Sequence, residues 1–320
     1  MEPAAIEGRA SDLSNTLHRL LSASSGKVWL LIDPILRPLQ PEQEFDAELL
    51  DRGPKQVPSP SKDPDPRLMP QLVALDSNQA SDSVLIRKSF NEALIECTPE
   101  SIAQGVGRRI CGWLESSSDV NELARHFARH LVQRRPTGGR VLLRWNDPAV
   151  LWALWPLLNP VQRKTLLGPI DVFHLIDPVG RLLTLQSPTD CEAAPGLGLS
   201  ASQWADADAI RSLNKALHEW GTASTTSDQL AAARQAVMAA LRRARALGFD
   251  DADDLATFGI RALTVHADFD RHQTIGDRLA KRESGDYFTS LVDDLTPEDW
   301  QRIRVDLVEN AFSDIATTNP

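Results

Sequence analysis

Two histidines, His126 and His130, lie four residues apart and could bind one metal ion from a single face of a helix. Zinc proteases that use such a pair also need a glutamate directly after the first histidine as general base, and Phe127 occupies that position here. The sequence shows no evident third ligand for the pair. We therefore predict that both imidazoles lie on the solvated face of a helix, with a metal site as the alternative.

A second group of possible metal ligands lies further along the chain, where acidic residues stand between two histidines. Imidazole nitrogens and carboxylate oxygens suit borderline and hard metal ions. The candidate ligands are His266, Asp268, Asp270 and His272. The same residue types are common where one helix ends and another begins, so we predict no metal. The alternative is a metal-dependent hydrolase, or another hydrolase whose site is assembled from residues distant in sequence.

Other catalytic and cofactor-binding patterns are not found in the sequence. Gly196-Leu-Gly198 is no phosphate-binding loop, because no lysine follows it and it does not lead from a strand into a helix. No serine stands in a nucleophile-elbow sequence, so a catalytic triad cannot be proposed. We therefore predict that the chain is not an enzyme and binds no cofactor.

Tryptophans and arginines after residue 200 are the best candidates for binding another protein. The sequence has eight tryptophans and one tyrosine. Tryptophan is enriched at interfaces because it buries a large surface and keeps one polar group. The candidate partner-binding residues are Trp204, Trp220, Trp300, Arg242 and Arg245. The alternatives are core packing for the indoles and pairing with aspartates of the same region for the arginines.

The charge of the chain restricts its partners. Asp and Glu number 44 against 34 Lys and Arg, which gives a formal charge of -10. This charge opposes binding to nucleic acids and anionic membranes. The three cysteines are an odd number without paired spacing, as expected of free thiols in a reducing compartment. Since no export signal or membrane-spanning stretch is visible either, we predict a cytoplasmic protein.

One stretch combines the clearest local signals for secondary structure. Val141, Leu142 and Leu143 form an apolar run that predicts a buried strand within a sheet. Asp147 can then accept hydrogen bonds from the first turn of a helix, and Pro148 fits the first helical position. We predict a strand that leads directly into a helix packed on the same sheet.

The remaining chain divides into a region where strands and helices alternate and a region of helices alone. The chain is predicted to start with a disordered segment and a short helix capped by Asp12, and an apolar strand follows them. The predicted fold class is α/β, a mixed sheet with packed helices, followed by an all-α lobe. The predicted strands or hairpins are 28–32, 68–75, 109–115, 131–145 and 170–185, and the later helices are 204–220, 227–247, 251–265, 274–282 and 297–312. The predicted divisions are a tail with a short helix at 1–27, an α/β domain at 28–186, a linker at 187–199 and the helical lobe at 200–320.

Several of these motifs occur in the order and approximate spacing of a known family. They are Trp29–Asp33, Leu68–Leu75, Gly112–Ser116, Leu123–His130, Leu142–Pro148 and Gly168–Ile170. In this order, between about Val28 and Leu185, the chain resembles the domain-of-unknown-function 4123 family. The most specific element is Arg-aromatic-x-Asp-Pro, in which Asn146 stands where a tyrosine is usual.

The resemblance implies a function in the bacterial type VI secretion system. Members of the family are adaptors, or chaperones, that hold a secreted toxin effector in the cytoplasm and help load it onto the spike protein. The expected partners are therefore an effector and a spike protein, and the helical lobe is expected to choose the effector. We expect the motif residues to be structural, namely Trp29, Asp33, Arg144, Trp145, Asp147 and Pro148.

Overall fold

A computed structural model describes residues 3–24, 26–35, 37–59, 69–104, 107–221 and 225–317. The chain divides into two compact units, Met1–Trp204 and Ala205–Pro320. The α/β character of the first part and the helical character of the second are confirmed. Among the described residues, no helix combines the length and apolar character that a bilayer span requires.

The first unit contains a six-stranded sheet in the order β2-β3-β1-β4-β7-β8, and a separate two-stranded hairpin, β5-β6. The strands are β1 Lys27–Ile32, β2 Lys55–Gln56, β3 Gln71–Leu75, β4 Ile110–Ser116, β5 Val132–Arg134, β6 Arg140–Leu142, β7 Val172–Ile176 and β8 Leu182–Gln186. Neighbouring strands in the described part of the sheet run antiparallel. In β1, every residue after Lys27 is buried, which confirms the predicted apolar strand at 28–32 and shows that the strand is covered on both faces.

Helices cover this sheet and complete the core. They are α1 Pro3–Ser22, α2 Glu44–Asp51, α3 Ala80–Ile95, α4 Pro99–Ala103, α5 Val120–Leu131, α6 Pro148–Leu154 and α7 Pro160–Leu167. The core joins Leu17 and Leu21 of α1, Leu30 of β1, Phe90 of α3 and Trp113 of β4. The rings of Phe90 and Trp113 are stacked with centroids 5.7 Å apart. The apolar faces of the helices are thus buried against the sheet.

The start of the chain differs from the prediction of a disordered segment before a short helix. Helix α1 begins at Pro3, so Asp12 lies within the helix and is not its N-cap. Proline suits the first turn of a helix, and the alanines that follow it have the highest helix propensity, so they extend the helix. Of the predicted strand 68–75, Leu68 lies outside the described residues and the strand begins at Gln71.

The prediction that residues 140–145 form a buried strand inside the sheet is wrong. Strand β6 has three residues and pairs only with β5, and the side chain of Leu142 is 54% exposed. The tight turn through Gly138 and Gly139, both with positive φ, folds the segment back on its neighbour in sequence. The predicted hairpin at 131–145 is thus confirmed, but an apolar run this short does not reveal whether the hairpin joins the central sheet.

The second hairpin is confirmed: β7 and β8 pair antiparallel from Val172↔Gln186 to Ile176↔Leu182. Beyond Gln186, the described residues contain helices and no strand. The helices are α8 Ala201–Asp208, α9 Ile210–Trp220, α10 Ser227–Ala246, α11 Ala252–Thr264, α12 Gln273–Lys281, α13 Phe288–Leu291 and α14 Pro297–Thr317. The predicted helix 204–220 is therefore interrupted at Ala209.

The second unit has its own core. Phe258 of α11 lies 4.7 Å from Phe269 and 4.9 Å from Phe288, measured between ring centroids. Gly259 lets α11 approach its neighbours closely, since a Cβ there would lie 3.0 Å from Val237 Cγ1 and 3.1 Å from Ala216 Cβ. This packing holds α11 in the centre of the unit.

Candidate functional site

The Arg-aromatic-x-Asp-Pro motif is joined to the end of β1 by a buried carboxylate. Asp33 is 3% exposed, and its Oδ2 accepts hydrogen bonds from Arg144 Nη2 at 2.9 Å and Asn146 Nδ2 at 2.7 Å. The other oxygen, Oδ1, accepts from the backbone N–H of Ile35 at 3.1 Å. Burial disfavours charge on Arg144, but Asp33 and Asp147 outweigh it and raise the pKa of the guanidinium. Both oxygens of the Asp33 carboxylate thus accept hydrogen bonds from within the protein.

The second half of the motif starts helix α6. The Asp147 side chain accepts from the backbone N–H of Ala149 at 2.9 Å, and Pro148 occupies the first turn. This confirms the predicted cap. Trp145 lies in the sequence between Arg144 and Asn146, the two residues that donate to Asp33. It is fully buried and stacks on Phe127 with ring centroids 4.6 Å apart. These contacts are within the protein and link β1, α5 and α6.

Trp29 and Asn146 complete this region. Trp29 lies in β1 opposite Ala74 and Leu114 and is 7% exposed. Asn146 is fully buried and donates to Asp33, a contact that sequence reasoning did not assign. The sequence feature that could have indicated this contact is the position of Asn146 between Trp145 and Asp147, where its amide can donate to a buried carboxylate.

A second buried ionic network, centred on Arg109, was also missed. Arg109 is 2% exposed and donates from Nη1 to Asp46 Oδ2 at 2.8 Å. Glu96 Oε2 accepts from the backbone N–H groups of Arg109 and Ile110, both at 2.8 Å, and Glu96 Oε1 pairs with Arg37 at 2.6 Å. Burial raises the pKa of Glu96 in spite of these bonds. The sequence feature that could have indicated this network is Arg109 itself, a charged residue directly before an apolar strand.

The prediction that His126 and His130 are solvated is wrong, because they are only 6% and 3% exposed. They flank the apolar face of α5 and so widen its buried stripe. His126 Nε2 donates to the carbonyl of Leu166 at 2.7 Å, and its ring lies 4.5 Å from that of His130. Burial lowers the pKa of both imidazoles, and that of His130 falls to about 4. Both rings line a cavity of about 410 Å³ beside Arg125 and Arg129.

The alternative metal ligands have other partners. Arg243 Nη2 pairs with Asp270 Oδ1 at 2.8 Å, and Arg243 Nη1 lies 3.9 Å from Asp268 Oδ1. His272 Nδ1 accepts from the N–H of Thr274 and caps α12, while its Nε2 lies 3.1 Å from Asp306 Oδ2. His266 Nδ1 accepts from the N–H of Asp268 at 3.2 Å. Within the described ranges, no three His, Cys, Asp or Glu side chains are grouped to hold a metal ion.

The candidate partner-binding tryptophans lie on different helices and differ in exposure. Trp204 on α8 is 4% exposed, and the guanidinium of Arg135 lies 4.8 Å from its ring centroid. Trp220 ends α9 and is half-buried. Trp300 on α14 is 6% exposed and carries Arg261 4.2 Å above its ring. Their binding role stays a prediction, and of the three only Trp220 has a substantial part of its side chain exposed.

The candidate arginines are engaged within the chain. Arg242 makes a bidentate pair with Asp206, through Nε at 2.8 Å and Nη2 at 2.6 Å, while its side chain stays 60% exposed. Arg245 donates to the backbone carbonyl of Ala205. The alternative of pairing with aspartates in the same region therefore describes Arg242, and its exposed part remains accessible to a partner.

Comparison with known proteins identifies one family. The family model described as Domain of unknown function (DUF4123) matches residues 28–165. Neither the curated proteins nor the solved structures that were searched include a match. The matched residues contain β1, the His126–His130 helix and the whole Asp33–Arg144–Asp147 network. The resemblance drawn from the motifs is thus confirmed over residues 28–165, the matched region that we call the DUF4123 domain.

Proposed function

We propose that the chain is a non-catalytic adaptor that binds a type VI secretion effector in the bacterial cytoplasm and helps load it onto the spike protein. The observation that carries the proposal is the DUF4123 domain at residues 28–165, because the family resemblance implies this role. The motif that carries the resemblance is built into the core of the domain. It therefore maintains the scaffold, and the binding surfaces lie elsewhere on the molecule.

The two-unit organisation supports a division of labour. The DUF4123 match lies entirely in the first unit, whereas the unit that begins at Ala205 consists of helices in its described part. A binding unit that varies in sequence, attached to a shared scaffold, suits proteins that deliver different cargoes to one machine. We therefore assign spike recognition to the DUF4123 domain and effector choice to the helical unit.

Co-expression tests the proposal directly. The full chain is produced with a type VI effector and a spike protein from the same bacterium, and each protein in turn carries the affinity tag. We expect the chain to co-purify with the effector and with the spike protein, and to increase recovery of the effector on the spike. Equal recovery of effector on spike with and without the chain would contradict the proposal.

A further inference from the structure

Arg261 differs from three other arginines of the second unit because no carboxylate faces it. Arg242 pairs with Asp206, Arg243 with Asp270, and Arg278 with Asp294. In the described part of the chain, Arg261 has no ion pair or hydrogen bond through its guanidinium, and its Nε is buried without an acceptor. Burial lowers the pKa of Arg261, and no neighbouring acid compensates for it. Such isolation of a half-buried cation is unexpected in a chain with a net charge of -10.

The guanidinium of Arg261 is held in a defined orientation. It lies 4.2 Å above the centroid of the Trp300 ring, within the range of a cation–π contact. Trp300 is 6% exposed, and its indole N–H is also buried without an acceptor among the described residues. Two donors in contacting side chains thus lack the oxygen atoms that buried donors normally bind.

Both side chains line a cavity of about 320 Å³ between α11 and the start of α14. Arg304 contributes a second positive charge, while Val265, Leu295 and Pro297 provide apolar walls. No acidic residue lines the cavity in the described structure. Its size suits one or two side chains of a peptide.

We propose that this cavity binds a carboxylate of an acidic peptide segment, with Arg261 as the principal ligand and the apolar walls contacting the flanking side chains. The planar fork of a guanidinium matches the two oxygens of a carboxylate, and stacking on an indole fixes the plane of that fork. The carboxylate can come from an Asp or Glu side chain or from a chain terminus. The assignment rests on this cavity alone and does not depend on the adaptor function. An acidic segment of an effector is one occupant that this function would supply.

The test uses the full chain labelled with ¹⁵N and follows the indole N–H signals of its eight tryptophans. The Trp300 signal is identified with Trp300→Phe. The probes are acetyl-Leu-Glu-Leu-amide, its neutral match acetyl-Leu-Gln-Leu-amide, acetyl-Leu-Gln-Leu with a free C-terminal carboxylate, and inorganic phosphate. We expect saturable shifts of the Trp300 signal with the carboxylate probes and none with the neutral peptide. The stronger carboxylate probe identifies the source of the group.

Variants of two arginines separate the site from general electrostatics. Arg261→Gln should weaken the preferred carboxylate probe at least about tenfold, and Arg261→Lys should weaken it less. Arg302→Gln removes one charge from α14, the helix of Trp300, at a residue outside the cavity and should change affinity less than about twofold. Unchanged signals of the other tryptophans show that each variant is folded. Equal shifts with the neutral peptide, tighter binding of phosphate, or equal losses in Arg261→Gln and Arg302→Gln would overturn the proposal.

Discussion

Asp33 connects two segments of the DUF4123 domain that are distant in sequence. It accepts a hydrogen bond from Arg144, which lies 111 positions further along the chain. Its carboxylate is bonded by Arg144, Asn146 and the backbone of Ile35. A buried carboxylate is tolerated only when its oxygens are satisfied, so loss of one donor leaves a strained site. This explains why the most specific motif of the family is structural in this chain. It also predicts that motif variants act first on stability.

The first prediction concerns the helix cap in this motif. Asp147→Ala should lower the free energy of unfolding by about 1 kcal/mol, because the N–H of Ala149 loses its acceptor. Asp147→Asn keeps an acceptor and should cost less. Urea unfolding of the three proteins measures the difference. Unchanged stability of Asp147→Ala together with lost binding of a partner would instead assign Asp147 to recognition.

The second prediction concerns the pH dependence that His130 confers. Burial is the main reason why its pKa is lowered to about 4 in the folded protein from the ordinary value of 6.5 for histidine. The depressed value contributes stability that is present above about pH 6.5 and is lost as the pH falls towards 4. Between pH 7 and pH 5, the wild type should lose about 2 kcal/mol more than His130→Gln.

Unfolding in urea at the two pH values provides the measurement. A cooperative unfolding transition of His130→Gln in urea at pH 7 shows that the variant is folded. Because carboxylates also titrate in this range, the difference between the two proteins is compared, and the slope of either one alone is not used. Parallel losses of stability in the wild type and His130→Gln would refute the assignment to His130.

At the scale of elements, the sequence predicted the parts whose signals are local. Asp147 was recognised as a helix start, and its side chain accepts from the first-turn N–H of Ala149. The burial of β1 and the β7–β8 hairpin also followed from apolar patterning and turn residues. The hairpin of β5 and β6 was predicted from its turn residues and is confirmed. Its separation from the six-stranded sheet was not predicted, because membership of a sheet depends on contacts distant in sequence.

Two parts of the candidate site were not predicted for the same physical reason, because they depend on contacts between segments distant in sequence. The burial of His126 depends on α7 lying beside α5, as the hydrogen bond from His126 to the carbonyl of Leu166 shows. The Arg109 network requires Asp46 and Glu96 to converge from separate helices. Periodicity identifies the face of a helix but does not reveal what covers it, so a polar residue at the margin of that face is easily assigned to solvent.

The third prediction tests the close contact between β4 and β7. Gly112 has φ of +146°, and a Cβ there would lie 2.3 Å from the carbonyl oxygen of His174 and 2.5 Å from Phe173 Cε2. Gly112→Ala should therefore destabilise the protein by about 3 kcal/mol through clash and backbone strain.

Gly53→Ala serves as the matched control for Gly112→Ala. Gly53 also has a positive φ, at +59°, but a Cβ added there would have no other atom within 4 Å. Its replacement should cost only about 1 kcal/mol, the backbone term alone. Thermal or urea unfolding compares the two variants. Equal losses would show that the β4–β7 contact can relax to accept a methyl group.

At the scale of the whole molecule, the fourth prediction assigns effector choice to the helical unit. Residues 205–320 are exchanged for the corresponding unit of another DUF4123 protein that handles a different toxin. The hybrid should retain the toxin of the donor and keep its binding to the spike protein. Co-purification against both toxins measures the outcome. Retention of the original toxin by a folded hybrid would place effector choice in the DUF4123 domain.

The most direct test of the adaptor function is export of the effector by a strain from which the gene for this chain is deleted. The effector and the spike protein are quantified in the medium and in the cells, with and without a plasmid copy of the gene. The adaptor function predicts that the effector disappears from the medium, that the spike protein is still exported, and that the plasmid copy restores the effector. Export of the effector at the wild-type level by the deletion strain would contradict it.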